Sequence, residues 1–139
     1  INVGSFSFGF WLLCFFSLHF VAGIILATIF QTAHIMPECD YPVANEEGTI
    51  ENNWAIHQLQ TTSNYAPKSR FFSWFVGGLN FQVEHHLFPS INHVHYPKIA
   101  EIVRKTAEEF KLPYNEYRST ISALKGHFAH LKNMGRSMA

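Results

Sequence analysis

The stretch FSFGFWLLCFFSLHFVAGIILATIF, Phe6 to Phe30, decides the fold expected for this chain of 139 residues. No Asp, Glu, Lys or Arg occurs before Glu38. At about 1.5 Å per residue, a helix over this stretch is long enough to cross about 30 Å of hydrocarbon. A signal peptide does not fit, because it has a basic start and a shorter apolar run, and buried core helices are rarely this long. The stretch therefore predicts a transmembrane helix that ends near His34.

The composition of the chain agrees with a membrane-associated metalloprotein. Charged residues make up 14% of the sequence, against roughly 25% in an ordinary soluble domain. Nine histidines are many for this length, and the net charge of zero offers no reason to expect a nucleic-acid partner. All ten Lys and Arg residues lie from Lys68 onward. By the positive-inside rule, we expect the C-terminal side of the helix to be cytoplasmic. Cys14 and Cys39 have no metal-site spacing and are expected to be free thiols.

Changes of composition divide the chain into three parts. We expect an all-α fold with a transmembrane helix over residues 5–34, an interfacial segment with the metal site over 35–96 and a cytoplasmic helical cap over 97–139. The polar residues 37–53 predict a loop, and a short helix is expected from Asn53 to Thr62. Residues 71–81 are apolar but too short to span a bilayer, so we expect them at its interface. This element is expected to continue through the QVEHH stretch and to stop near Pro89.

The cap is expected to contain two amphipathic helices. Pro97 suits the first position of one helix, and Pro113 separates it from a second helix predicted from Tyr114 to Leu131. The residues expected on the buried stripe of the first helix are Ile99, Ile102, Val103, Ala107 and Phe110. Those expected to point inward on the second are Ile121, Leu124, Phe128 and Leu131. His127 and His130 are expected to be solvated.

The stretch NFQVEHHLFP, Asn80 to Pro89, carries the expected chemistry. On a helix, Gln82, His85 and His86 share one face, and the two histidines are about 100° apart around the axis. They could therefore point toward two different metal ions. Neutral imidazole suits iron, zinc and copper. A pair of freely solvated surface histidines is the alternative, and the apolar flanking residues argue against it.

The stretch GGLNFQVEHHLFP, residues 77–89, resembles the third histidine box of membrane fatty acid desaturases. It is most similar to the front-end, linoleoyl-CoA desaturase-like branch, in which glutamine replaces the first histidine of H-x-x-H-H. Further stretches similar to that family are Gln31-Thr32-Ala33-His34, Trp54 with Gln58, Thr61-Thr62-x-Asn64, and Asn92-His93-Val94-His95-Tyr96-Pro97-Lys98-Ile99. The resemblance extends over roughly residues 25 to 110.

The resemblance implies a set of metal ligands. It makes His34, His85 and His86 the expected iron ligands. Gln82 is the fourth residue expected at the metal, where it could be a ligand, bind through water or only donate or accept a hydrogen bond. Three other residues are expected to orient these ligands: Glu84, by accepting a hydrogen bond from a ligand imidazole, and His93 and His95, from one side of an extended segment. Whether His57 is a ligand stays open.

The resemblance also implies an activity. Family members use molecular oxygen, two electrons and a non-haem di-iron centre to insert a cis double bond into a fatty acyl chain. The expected substrate is an acyl-CoA or an acyl-lipid, and the expected electron donor is of the cytochrome b5 or ferredoxin type. The other expected partner is the lipid bilayer. The two earlier histidine boxes of the family do not occur in this sequence. We therefore expect the C-terminal part of a four-helix-type integral membrane desaturase, inactive by itself.

Two alternatives to a desaturase stay open at this point. An acyl hydroxylase could use the same scaffold, because histidine ligation alone does not separate the two reactions. A non-catalytic membrane protein could instead bind zinc through His85, His86, His93 and His95.

Overall fold

A computed structural model of the chain describes residue 4 and residues 6–50 and 53–137. The fold is helical, as expected. The elements in chain order are α1 (Phe8–His34), α2 (Trp54–Thr61), β1 (Ser63–Tyr65), α3 (Arg70–Phe75), α4 (Gln82–Leu87), a 3₁₀ helix (His93–His95), α5 (Tyr96–Glu109), β2 (Asn115–Tyr117) and α6 (Thr120–Ser137). The loop expected after α1 has no helix or strand in its described residues, and the short helix expected next is α2.

Helix α1 is the long apolar element of the fold. Ser7 caps its start by accepting a hydrogen bond from the backbone N–H of Phe10. Among the described residues it is the one helix long and apolar enough to cross a membrane. It is almost wholly exposed and is buried only near its C-terminal end, at Ile29, Thr32 and Ala33. The expected long helix is thus confirmed, and it runs four residues past Phe30.

The C-terminal end of α1 is enclosed by the rest of the chain. Ala33 and Met36 form a buried cluster with Cys39, Tyr65 and Ala123. The hydroxyl of Tyr65 donates to the carbonyl of Ile29 over 3.1 Å. Both cysteines are free thiols, as expected. The end of α1 is therefore fixed by contacts from parts of the chain far away in sequence.

A two-stranded parallel sheet, which was not anticipated from the sequence, pairs β1 with β2. Ser63 lies opposite Asn115 and Tyr65 opposite Tyr117. Because this pairing holds residues 115–117 extended, the helix predicted from Tyr114 cannot begin there, and α6 begins at Thr120.

Helix α6 buries a different face from the one predicted. Ala123 and His127 are buried, whereas Ile121, Phe128 and Leu131, all expected to point inward, are exposed. Gly126 permits close approach, because a Cβ at this position would lie 2.7 Å from the hydroxyl oxygen of Tyr117.

The prediction that His127 and His130 are solvated was wrong. His127 is only 4% exposed, and its Nδ1 lies 2.9 Å from the carbonyl oxygen of Ile35. His130 is half-buried and stacks on Tyr41. His127 thus packs at the end of α1 and His130 against the loop that follows it, and only the tertiary fold creates these contacts.

A second core lies between α2, α4 and α5. It consists of Leu59, Val83, Val103 and Ala107. Pro97 lies in the first turn of α5, as expected. The predicted buried stripe was wrong at Ile102 and Phe110, which are exposed, and Tyr96 and Ala100 are buried on this helix in addition to Val103 and Ala107.

The predicted single element from Phe71 into the QVEHH stretch is also wrong, because two helices are present. Helix α3 ends at Phe75, and Gly77 and Gly78 follow with φ of 60° and 76°. Glycine adopts this left-handed conformation without steric cost, and it ends the helix. A Cβ on Gly78 would also lie 2.6 Å from the Cβ of His93. This turn separates α3 from α4. Phe71 and Trp74 of α3 are exposed.

Candidate metal centre

Helix α4 presents the histidine pair from a buried position. Gln82 and Glu84 are fully buried, while His85 and His86 are half-buried. Phe81, the residue before the helix, provides no side-chain cap. The missing cap is replaced from β1, because the Oδ1 of Asn64 accepts a hydrogen bond from the backbone N–H of Val83 over 2.9 Å.

The structure brings His34 to this pair. His34 is the last residue of α1, and its ring centroid lies 5.0 Å from that of His86. The ring centroids of His85 and His86 are 5.8 Å apart. Three imidazoles from two distant parts of the sequence therefore form one cluster, with the long apolar helix ending at it.

His86 is held in a defined orientation. Its Nδ1 lies 2.7 Å from the Oε1 of Gln58 on α2. An amide oxygen can only accept a hydrogen bond, so in this arrangement Nδ1 carries the proton and the lone pair is on Nε2. Burial, with smaller contributions from the neighbouring His34 and His85, lowers the pKa of His86 to about 4. The ring is therefore neutral near pH 7, which is the state that binds metal ions.

His85 has a different partner. Its Nδ1 lies 3.3 Å from the hydroxyl of Tyr96, the first residue of α5. Neither Tyr96 nor Gln58 was assigned a role from the sequence, although both lie in the stretches that resemble the desaturase family. Residue spacing could not have predicted these two roles, because each hydrogen bond joins α4 to a different helix.

Gln82 is an unusual buried amide. It contacts the ring of His34, but neither its Oε1 nor its Nε2 has hydrogen-bond geometry with a partner among the described residues. A buried polar atom without a partner costs about 1–3 kcal/mol, so such an atom needs an explanation. A ligand or water bound between Gln82 and the imidazoles would satisfy the amide.

The expected hydrogen bond from a ligand imidazole to Glu84 is not present among the described residues, because Glu84 has other partners. Its Oε2 accepts from the Nδ2 of Asn64 over 2.7 Å, and its Oε1 accepts from the hydroxyl of Tyr114 over 2.9 Å. Burial raises the pKa of Glu84, and the bonds from Asn64 and Tyr114 oppose that rise. The side chain points away from the histidines because different faces of α4 serve the two clusters.

His93 and His95 are not on an extended segment. They lie in a 3₁₀ helix and are exposed, and within the described part of the chain neither ring has a hydrogen bond to His34, His85 or His86. His57 is half-buried and lines an open depression together with His34. Its Nδ1 is buried and has no hydrogen-bond partner among the described residues.

The donors present fit part of a metal centre. The described residues contain no group of three His, Cys, Asp or Glu side chains placed to hold one metal ion. His34 and His86 are adjacent, His86 is neutral with a free Nε2, and the amide of Gln82 is unpaired beside them. This arrangement suits nitrogen ligation of iron that further ligands would complete.

Comparisons with known proteins identify the family of the chain. Residues 2–118 match the family model described as fatty acid desaturase. The chain is 43% identical over 132 residues, 95% of its length, to an acyl-lipid (8-3)-desaturase from Physcomitrium patens, of which it covers 27%. It is 40% identical over 116 residues, 83% of its length, to an sn-1 linoleoyl-lipid 6-desaturase from Synechocystis sp., of which it covers 32%.

A third relative is more distant in sequence. The chain is 37% identical over 124 residues, 89% of its length, to an acyl-lipid (8-3)-desaturase from Mortierella alpina, of which it covers 28%. The chain therefore spans less than a third of the length of these curated relatives. No solved structure matches it.

Proposed function

The chain belongs to the fatty acid desaturase family, and we propose that it supplies His34, His85 and His86 to the di-iron centre of an integral membrane acyl-lipid desaturase. Gln82 completes this contribution, either as a ligand or by holding a bound water. The remaining ligands come from a part of the protein outside these residues. By itself the chain is expected to be inactive.

The single observation that carries this proposal is the 5.0 Å separation between the rings of His34 and His86. His34 ends the long apolar helix, and His86 lies on a short helix after the polar loop. Burial and the neighbouring rings favour the neutral form of the half-buried His86, because charged imidazoles at this distance would repel each other. Such a cluster is retained where a metal ion uses the neutral rings.

Bound iron with O₂ would supply the oxidising power to remove two hydrogens from an unactivated acyl chain, which no side chain can do alone. The residues of this chain have simpler tasks. Gln58 keeps the proton of His86 on Nδ1, and the buried faces of α1 and α4 exclude water from that side of the site.

The substrate and partners follow from the same proposal. Two of the relatives are named as acyl-lipid desaturases and one as a linoleoyl-lipid desaturase, so we favour a lipid-bound acyl chain over an acyl-CoA. We place the metal site and the C-terminus on the cytoplasmic side, because every Lys and Arg follows α1. The electron donor is a cytochrome b5-like or ferredoxin-like protein.

The experiment that tests the function uses the full-length parent protein in membranes. Iron per chain and the unsaturated product are measured for the wild type and for His34→Ala, and zinc is measured in the same samples. Loss of both iron and product in His34→Ala is expected. A hydroxylated product would favour the hydroxylase, and zinc without iron in the wild type would favour a non-catalytic protein.

A further inference from the structure

Helix α4 is too short to be stable without support. It has six residues, Gln82–Leu87, and no side-chain cap from Phe81. Isolated helices shorter than about 12–15 residues are marginal in water, and the first backbone N–H groups of a helix need partners from elsewhere. The orientation of His85 and His86 therefore depends on what holds this helix from outside.

Asn64 provides the first hold. It is fully buried on β1. Its Oδ1 accepts from the backbone N–H of Val83 over 2.9 Å, and its Nδ2 donates to Glu84 over 2.7 Å and to the hydroxyl oxygen of Tyr114 over 2.8 Å. One side chain thus caps the start of α4 and binds the acidic group in its first turn.

Tyr114 provides the second hold. Its hydroxyl donates to the Oε1 of Glu84 over 2.9 Å, which closes a ring of hydrogen bonds among Asn64, Glu84 and Tyr114. The guanidinium of Arg104 lies 5.3 Å above the Tyr114 ring and pairs with Glu116. Tyr114 is therefore held from α5 and β2 while it binds α4.

We propose that Asn64, Glu84 and Tyr114 are positioning residues that set the orientation of His85 and His86 for metal binding. This proposal rests on the proposed function. Within the described part of the chain, none of the three has a hydrogen bond to His34, His85 or His86. Their bonds instead join one another and the first turn of α4. Without the ring, α4 keeps the contact of Val83 with the second core but loses the hydrogen bonds that fix its first turn.

The test exchanges donor and acceptor in the full-length protein. In Asn64→Asp, two carboxylates face each other and the donor to Glu84 is lost. Adding Glu84→Gln restores the pair, because the new amide at position 84 donates to the new carboxylate at position 64. The second oxygen of that carboxylate still accepts from the backbone N–H of Val83. Glu84→Gln alone keeps an acceptor for Asn64, so a smaller loss is expected.

The readouts are iron per chain, kcat, KM and thermal midpoint. For Asn64→Asp we expect iron affinity and kcat to fall about 10- to 100-fold with little change in KM, and the double variant to recover at least about tenfold of that loss, consistent with direct coupling. Tyr114→Phe, which keeps the ring under Arg104, tests the second hold if Asn64→Asp does not fold. This variant removes one hydrogen bond donated to Glu84 and one accepted from Asn64. It is expected to lower iron affinity at least about fivefold, since one hydrogen bond contributes about 1 kcal/mol.

Tyr117→Phe is the matched control. It removes a tyrosine–glutamate hydrogen bond of the same kind, to Glu38, from strand β2 and away from α4. Iron content and kcat are expected to stay at the wild-type level. Equal losses in Tyr114→Phe and Tyr117→Phe would overturn the proposal.

The remaining outcomes decide which of the two proposals, the positioning role or the function, fails. A lower thermal midpoint in Asn64→Asp with normal iron content and kcat, or no recovery in the double variant, overturns the positioning role. If His86→Ala loses iron while Asn64→Asp does not, the function stands and the positioning role fails. If His86→Ala keeps full iron and activity, both proposals fail.

Discussion

Helix α4 and the 3₁₀ helix His93–His95 each carry two histidines, yet the structure treats them differently. In α4, His85 and His86 are half-buried and each Nδ1 has a partner on another element. In the 3₁₀ helix, both rings are exposed. The difference shows that spacing selects which histidines share a face, whereas burial and a second partner decide which rings are held in one orientation.

Removing one ring from each segment is the strongest way to break this comparison. His86→Ala in the full-length protein is expected to lower iron content and product formation by at least about 100-fold, more than the loss of an orienting residue. His95→Ala is expected to change neither, because its ring is exposed. Iron analysis and chromatography of fatty acid products measure both. Equal losses in the two variants would contradict the distinction.

Removing the partner of His86 should have the next largest effect. Gln58→Leu takes away the oxygen that lies 2.7 Å from Nδ1, and a loss of about 10-fold in iron affinity and kcat is expected. Gln58→Glu retains an acceptor and should stay closer to the wild type. Metal titration and steady-state rates report the two values, and a Leu variant with normal affinity would show that Gln58 does not orient the ring.

The partner of His85 makes a longer contact and should matter less. Tyr96→Phe loses a hydrogen bond of 3.3 Å, for which about 1 kcal/mol, or about fivefold in iron affinity, is expected. The same metal titration applies. A loss greater than that of Gln58→Leu would reverse the order of the two contacts.

The smallest effect on catalysis is expected from changes at Gly78, which packs against the exposed His93, so the measured quantity is stability. Gly78→Ala places a Cβ 2.6 Å from the Cβ of His93 in a residue with φ of 76°. Gly77→Ala has φ of 60° but no atom within 4 Å of its Cβ, so it carries only the left-handed strain of about 1–2 kcal/mol. The thermal midpoint should therefore fall further for Gly78→Ala. Equal midpoints would show that His93 moves aside freely.

Local signals predicted several elements because their causes are local. The uncharged run before Glu38 predicts α1, and Pro97 marks the start of α5. The turn at Gly77-Gly78 also has a local signal, since paired glycines commonly mark a turn, but the apolar run on either side favours one continuous element. That error merged α3 and α4.

Other features had no local signal. The pairing of Ser63–Tyr65 with Asn115–Tyr117 joins strands of three residues, too short for their own pattern to show. It holds residues 115–117 extended, so α6 begins later than predicted. For the same reason the partners of Glu84 were missed, because Asn64 lies on one of these strands and Tyr114 directly precedes the other.

The sequence by itself determined the long apolar helix, because that depends on composition within one stretch, and its resemblance to the desaturases supplied the family and the candidate ligands. Only the tertiary structure decided that His34 meets His86, that Gln58 and Tyr96 orient the histidine pair, and that Asn64 caps α4. Each of these is a contact between elements far apart in the chain. Such contacts depend on how the helices and strands pack around buried polar groups. Residue spacing along the sequence does not predict that packing.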